Sequence, residues 1–336
     1  MYLKELYYDI CRKAEVPIQA QPFWWDALCG AEGWQLSAVQ DESGALQAAM
    51  PYRIYRRRGL RYLSAAPPLA TYGWIYTASP KTDRRHRLYA RRRRLTLALL
   101  RQLPAVDVVH FNVHPDFGEL LAFRQMKWIC RMRMTYVFDA PDASLIHARM
   151  ASSARNHLRR AREALRCEQG GSAQDLSRFY ADAFRRRKLR VPEEARQIGL
   201  LRELLEKEGR GCQLSAFLPG SHDSGRDFTG SQTSVRAGKC VAACLLVWDD
   251  RRLHFLLSGQ DEEGRKHRAM YLLIWEAIKL AARKGLAFDF DGSMLPEVEP
   301  VFRSFGARQQ PYLNVFAPMS LKARVLYALS LWSMVH

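Results

Sequence analysis

The stretch "FDFDGS" at residues 288–293 sets two carboxylates two positions apart between bulky aromatic residues. On a β-strand, alternation turns Phe288 and Phe290 to one face and Asp289 and Asp291 to the other, with the carboxyl-bearing positions roughly 7 Å apart. Repulsion and partial burial of such a pair raise the pKa of one member, which makes a base able to take a proton from an amine near neutral pH. The same spacing also suits a structural pair, one carboxylate capping the next helix and the other bound to an arginine. Gly292 and Ser293 follow in a tight turn whose backbone N–H groups could hold a developing oxyanion or a substrate carboxylate. As a capping residue, Ser293 would instead start the next helix.

A second set of candidates is cationic. Across "SSARNHLRRAREALRCE" (152–168), Ala154, Leu158, Ala161 and Leu165 form an apolar stripe at helical spacing, with Arg155, Arg159, Arg162 and Arg166 in a parallel row beside it. An arginine row with one nearby acid, Glu163, predicts phosphate binding; the alternative is a solvated face neutralised by acids from elsewhere in the fold. "FRRRKLRVPEE" (184–194) adds cations at a helix C-terminus, where the dipole favours them anyway. The whole chain of 336 residues carries 52 Lys+Arg against 34 Asp+Glu, a net charge of +18. That field draws polyanions: nucleic acid, anionic lipid, an acidic carrier protein or a phosphorylated cofactor. The aromatic loop "PPLATYGWIY" (67–76), with Tyr72 and Trp74, could wall an acyl chain or stack a sugar or base, or be strand residues of a core. His110 and His114 have no carboxylate or thiol at metal spacing, so they are read as structural and no metal is predicted.

These residues must be positioned by elements, and the elements occur twice. "WQLSA" at Trp34–Ala38 returns as "CQLSA" at Cys212–Ala216, and register persists at an offset of about 178 residues. In each half a hairpin and a strand lead to a basic turn ("RRHR" at 84–87, "RKHR" at 265–268), a helix (88–103, 269–283), a strand, a short helix and a last strand. The expected fold is therefore α/β: two tandem mixed α/β units, the second with additional N-terminal helices at 146–166, 174–188 and 194–208. The predicted boundaries are 1–140 for the first unit, 144–318 for the second, and 319–336 for a C-terminal amphipathic helix.

On "GQDEEGRKHRAMYLLIWEAI" (259–278) and "FDFDGSMLPEVEPVFRSFGARQQPY" (288–312), the chain resembles the GNAT acyltransferase superfamily, in particular its tandem members similar to Fem peptidyltransferases and related bacterial N-acyltransferases. The resemblance implies two GNAT-like units and transfer of an acyl or aminoacyl group to an amine, with the main site in the second unit. An acid at 291 fits part of that family and Asp289 fits most of it; Asp291 is read as the better-placed base, and the resemblance implies Tyr312 as proton donor to the leaving group, unless Tyr312 is a core aromatic. It places Arg265, Lys266 and Arg268 at the turn that binds the donor's pyrophosphate in such enzymes. Here Arg268 stands where a glycine is expected, which leaves open acyl-CoA, an acyl carrier or aminoacyl-tRNA as donor. The first unit's basic turn is less like a donor loop still.

The N-terminus lacks the apolar centre of a secretory signal and no run of residues is apolar enough to span a bilayer, so a cytoplasmic location is expected. Seven scattered cysteines without a Cys-x-x-Cys pair read as reduced thiols. Leu321, Val325, Leu329 and Trp332 form a stripe on the C-terminal helix beside Lys322 and Arg324, suited to peripheral membrane contact or to docking on its own core. Two functions remain: an acyltransferase using acyl-CoA or aminoacyl-tRNA on a small-molecule or cell-envelope amine, and a non-catalytic RNA- or polyanion-binding protein with a decayed transferase site.

Overall fold

The computed structural model describes residues 2–78, 84–219, 238–292 and 294–335. The chain divides into two compact units, residues 1–134 with 310–336, and residues 135–309.

The first unit starts with helices α1 (Tyr2–Lys13) and α2 (Pro22–Cys29) and the hairpin β1 (Gln35–Gln40) and β2 (Leu46–Arg57). The hairpin turns at 41–45 because Asp41 accepts hydrogen bonds from the backbone N–H groups of Ser43 and Ala45. Then come β3 (Leu60–Ser64), the short β4 (Tyr76–Thr77), α3 (Arg85–Arg101), β5 (Val108–Val113), α4 (Leu121–Gln125) and β6 (Ile129–Phe138), whose last residues enter the second unit. Leu95, Leu99 and Leu100 of α3 seal the sheet against Met50, Leu63, Val109 and Phe111.

The second unit opens with α5 (Ala143–Arg149), α6 (Ser152–Ala164), β7 (Arg166–Gln169), α7 (Ala173–Arg186) and α8 (Ile198–Lys207). The single helix expected over 146–166 is broken because Met150 and Ala151 take extended ψ angles of 147° and 143°. Leu165 is extended as well, so Arg166 lies in β7 rather than in the arginine row. After these helices the order of the first unit recurs: hairpin β8 (Gly211–Phe217) and β9 (Cys240–Trp248), β10 (Arg252–Gln260), the short α9 (Glu262–Lys266), α10 (Ala269–Lys284), β11 (Ala287–Asp289), α11 (Glu299–Ser304) and β12 (Arg308–Pro318). Helix α12 (Leu321–Val335) ends the described chain. Every residue of β9 is buried, as befits a central strand covered on both faces.

The boundaries differ from those expected. β12 pairs with β5 through Leu313–Pro318 and so completes the first unit's sheet, while Val137 and Phe138 of β6 pair with β11 in the second. Apolar alternation marks both segments as strands but does not say which neighbour they join. Residues 310–318 and α12 therefore belong with the first unit.

Gly259 in β10 lies under α7: a Cβ built there would come 2.4 Å from the carbonyl carbon of Phe179. Gly259→Ala is expected to destabilise the protein by about 1–3 kcal/mol through that backbone clash. Gly199→Ala in α8, where the nearest atom is 3.8 Å away, should be neutral or stabilising by up to about 1 kcal/mol. Urea unfolding of the two variants checks the pair.

Candidate active site

β10 and β11 run parallel for only three residue pairs, Arg252 with Ala287, Leu253 with Phe288 and His254 with Asp289. β10 then continues to Gln260, whereas β11 ends at Asp289. The register of β10 against β9 slips between Phe255 and Leu257, a bulge that bends the strand just where the pairing stops. On the other side Phe290 keeps its backbone hydrogen bond to Tyr136 of β6, at 3.0 Å. One strand therefore stays with β9 and the other with β6, and the sheet forks.

Two acid–base pairs fix the root of this fork. Asp289 is fully buried and accepts from Arg252 (Nη1 to Oδ2, 2.8 Å), from Thr135 Oγ1 (2.5 Å) and from the backbone N–H of Asp291 (2.8 Å). Both oxygens of Asp289 are thus engaged, and its partner is the arginine that the structural alternative anticipates. Asp291 Oδ1 lies 3.0 Å from His254 Nδ1, and only 4% of Asp291 and 1% of His254 are exposed. Burial by itself would depress the imidazole, but the hydrogen bond to Asp291 and the charges of Asp291, Asp289 and Asp249 outweigh it and hold the pKa above the ordinary 6.5. Asp291 sits at φ 59°, a left-handed conformation that costs a non-glycine residue about 1–2 kcal/mol. Gly292, also left-handed, donates its N–H to Thr135 Oγ1 at 2.9 Å. Ser293 lies outside the described residues.

Sequence reading found the carboxylates and missed Arg252 and His254. The signal was present: "RLHF" sets two basic side chains at the same i, i+2 spacing as the acids, and one register of two parallel strands joins both pairs.

The start of α10 is the second part of the site. Arg268 precedes the helix at φ 60°, so it occupies in strained form the left-handed position a glycine would take freely. The first turn of this 16-residue helix carries the positive end of its dipole. His157 of α6 packs on Tyr271 with ring centroids 4.9 Å apart; burial and the charges of Arg268 and Arg160 lower its pKa. On the other flank, burial and the charges of Arg265 and Arg187 lower the pKa of Arg186. Among the described residues, Arg160, Arg265 and Arg268 form no ion pair, whereas Lys266 pairs with Glu263 at 3.5 Å.

The predicted arginine row is less free. Arg155 donates to the carbonyls of Met150 and Ala148 and so closes the end of α5; Arg159 pairs with Glu163 at 2.8 Å; Arg162 lies over Trp275, 5.4 Å from the ring centroid. All three line a cavity of about 380 Å³ with His147 and Asn156. Arg160 and His157, on the face of α6 turned to α10, went unremarked in the sequence because periodicity gives faces but not their neighbours.

Two predicted site residues fall in the first unit. Tyr312 is buried edge-on against Tyr72, with centroids 5.2 Å apart, and Tyr72 packs in turn on His114. Both side chains pack within the first unit, whereas the fork belongs to the second. No group of side chains among the described residues could hold a metal ion.

Residues 148–294, which include the fork, the start of α10 and the arginine row, match the family described as Acetyltransferase (GNAT) domain. That match covers most of the second unit, and the chain has the mixed α/β design of GNAT-fold structures. Its particular fold is of the Fem-like type. The crystal structure of FemX superposes with a TM-score of 0.59 at 12% identity, over 96% of this chain and 97% of that one. The C-terminal domain (DUF2156) of a putative lysylphosphatidylglycerol synthetase from Agrobacterium fabrum does so with a TM-score of 0.51 at 12% identity, over 98% and 96%. A conserved protein of unknown function from Bacteroides thetaiotaomicron gives 0.50 at 10%, over 88% of each chain. Among curated proteins no sequence matches significantly.

The raised pKa of His254 makes its contribution to stability fully present below pH 6.5 and lost as pH rises through the folded-state value. In Asp291→Asn the imidazole titration followed by NMR should fall to a lower midpoint, with a smaller loss of stability across that pH range. Asp289→Asn, which leaves Arg252 without its buried partner, should cost about 3–5 kcal/mol in urea unfolding.

Proposed function

We propose that the second unit transfers an acyl or aminoacyl group from a phosphate-bearing activated donor to an amine. The observation that carries this reading is the fork itself: an edge of β10 beyond His254 that no strand among the described residues pairs, a buried carboxylate–imidazole pair at its root, and a cationic helix start at the end of the same strand–helix connection.

The donor lies along the free edge of β10, where backbone groups beyond His254 can hydrogen-bond an extended chain, and its phosphates meet Arg160, Arg265, Arg268 and the first turn of α10. The amine nitrogen attacks the carbonyl carbon of the thioester or ester, the C–S or C–O bond breaks, and the nitrogen's proton passes to Asp291, backed by His254. The leaving thiolate or alkoxide then takes up a proton. Amine and activated ester need little beyond alignment and stabilisation of the developing charge, so positioning supplies most of the rate.

The donor class divides between acyl-CoA and aminoacyl-tRNA. The match of residues 148–294 to the GNAT domain supports the former. The arginine in place of a small residue at 268, together with a fold shared with a putative lysylphosphatidylglycerol synthetase, supports the latter. The acceptor belongs to the small-molecule or cell-envelope amines.

Incubation with a radiolabelled acyl-CoA panel and with charged tRNA, each with a mixed amine pool, tests the reading. The expected outcome is label transfer from one donor class. Asp291→Asn should cut kcat about 10²–10⁴-fold, and Arg265→Ala/Arg268→Ala should raise the donor KM about tenfold or more. Binding of tRNA or RNA without transfer from either donor would favour a non-catalytic polyanion binder instead.

A further inference from the structure

We propose that the face of the first unit formed by α12 and the β2–β3 hairpin binds the surface of an anionic lipid bilayer. This inference does not depend on the transferase reading.

Helix α12 sits on the unit through Ala323, which is 3% exposed, and through Tyr327, whose ring packs 5.0 Å from Phe316 and whose hydroxyl accepts a hydrogen bond from Arg131 at 2.8 Å. The opposite face carries Leu321, Val325 and Leu329 at i, i+4 and i+8, with exposures of 77%, 50% and 57%. Three residues of the stripe expected from the sequence, Leu321, Val325 and Leu329, therefore point away from the core. Met319, just before the helix, is exposed as well, at 44%. A contiguous outward aliphatic row of this kind marks an interaction surface rather than chance exposure.

The surroundings are basic. Arg56, Arg57 and Arg58 stand exposed at the tip of the β2–β3 hairpin. The Nζ of Lys322 lies 3.7 Å from where a Cβ on Gly59 would be, which brings that tip against the first turn of α12. Arg131 and Arg133 project from β6, and after burial the charges of Arg133, Arg131 and Arg57 are what lower the pKa of His110, so these cations converge. Among the described residues none of the five hairpin and β6 arginines forms an ion pair. Asp107, which accepts the backbone N–H of Arg61 at 2.8 Å, is the carboxylate beside Lys322.

An outward aliphatic row ringed by cations fits one occupant better than others. A second copy of this chain would bring two equally positive faces together, and a nucleic acid would use the arginines but leave the leucines wet. A bilayer with anionic headgroups takes both: the row enters the interface and the arginines reach phosphate. Among the described residues no helix is long and apolar enough to cross a membrane, so the contact is peripheral.

Co-sedimentation of the full chain with phosphatidylcholine vesicles, with and without about 30 mol% phosphatidylglycerol, tests this. The expected result is at least about tenfold tighter binding to the anionic vesicles, weakened as salt rises from about 0.1 M to about 0.5 M. Val325→Asp/Leu329→Asp should lose about tenfold or more of that binding, and Arg57→Ser/Arg133→Ser a similar factor, both with unchanged thermal melting because all four side chains are exposed. Equal binding to neutral and anionic vesicles, absence of binding, or indifference to both double variants overturns the proposal. So does vesicle-independent dimerisation that Val325→Asp/Leu329→Asp abolishes, or RNA binding that only the arginine pair affects.

Discussion

The second unit depends on the crossed pairing of two bases on β10 with two acids on and after β11. Parallel strands normally stay together because each added residue contributes ladder hydrogen bonds and packing. Here they part after three pairs, so something must hold them up to that point and no further. Arg252 with Asp289 and His254 with Asp291 do so: both pairs are nearly dry, each is tied at about 3 Å, and the bulge in β10 directs the strand away immediately afterwards. Water exclusion makes both pairs strong in place and costly to break. Against that burial, the hydrogen bond to Asp291 and the charges of Asp291, Asp289 and Asp249 keep the imidazole charged to higher pH than it would be in solution.

Two of the six non-glycine residues with positive φ among the described residues lie at this site. Asp291 and Arg268 are both left-handed without being glycine, one at the root of the fork and one at the head of α10. Backbone strain persists where surrounding structure over-determines it, and functional sites are where it collects. Thr135 contributes by receiving the N–H of Gly292 while donating to Asp289, so the turn after β11 is held from both sides.

Much of the fold was legible because it is local. The hairpins, the helix after each basic turn and the short helix before each last strand follow from period-2 and period-3.6 patterns and from turn chemistry such as that of Asp41. What was not legible is non-local. Nothing in "PYLNVF" says that its partner is β5, about 200 residues earlier, rather than the strand just before it, so Tyr312 was assigned to the wrong unit. The carboxylates could be read from their own spacing; their partners required a parallel register between segments more than 30 residues apart. On α6 the stripe was correct, but which arginine meets α10 depends on how the helix is rolled, and that rests with Tyr271 and Trp275 rather than with α6 itself.

The placement of β12 also bears on biosynthesis. A ribosome releases β5 long before it makes β12, and until then the first sheet has a bare edge of Val, Phe and Val residues exposed to pairing with any passing strand. A segment translated about 200 residues after β5 is the one that closes the first unit's sheet. Order in residues 1–134 therefore waits on residues 310–318, and nascent chains halted before residue 310 should be especially prone to capture by chaperones or to aggregation.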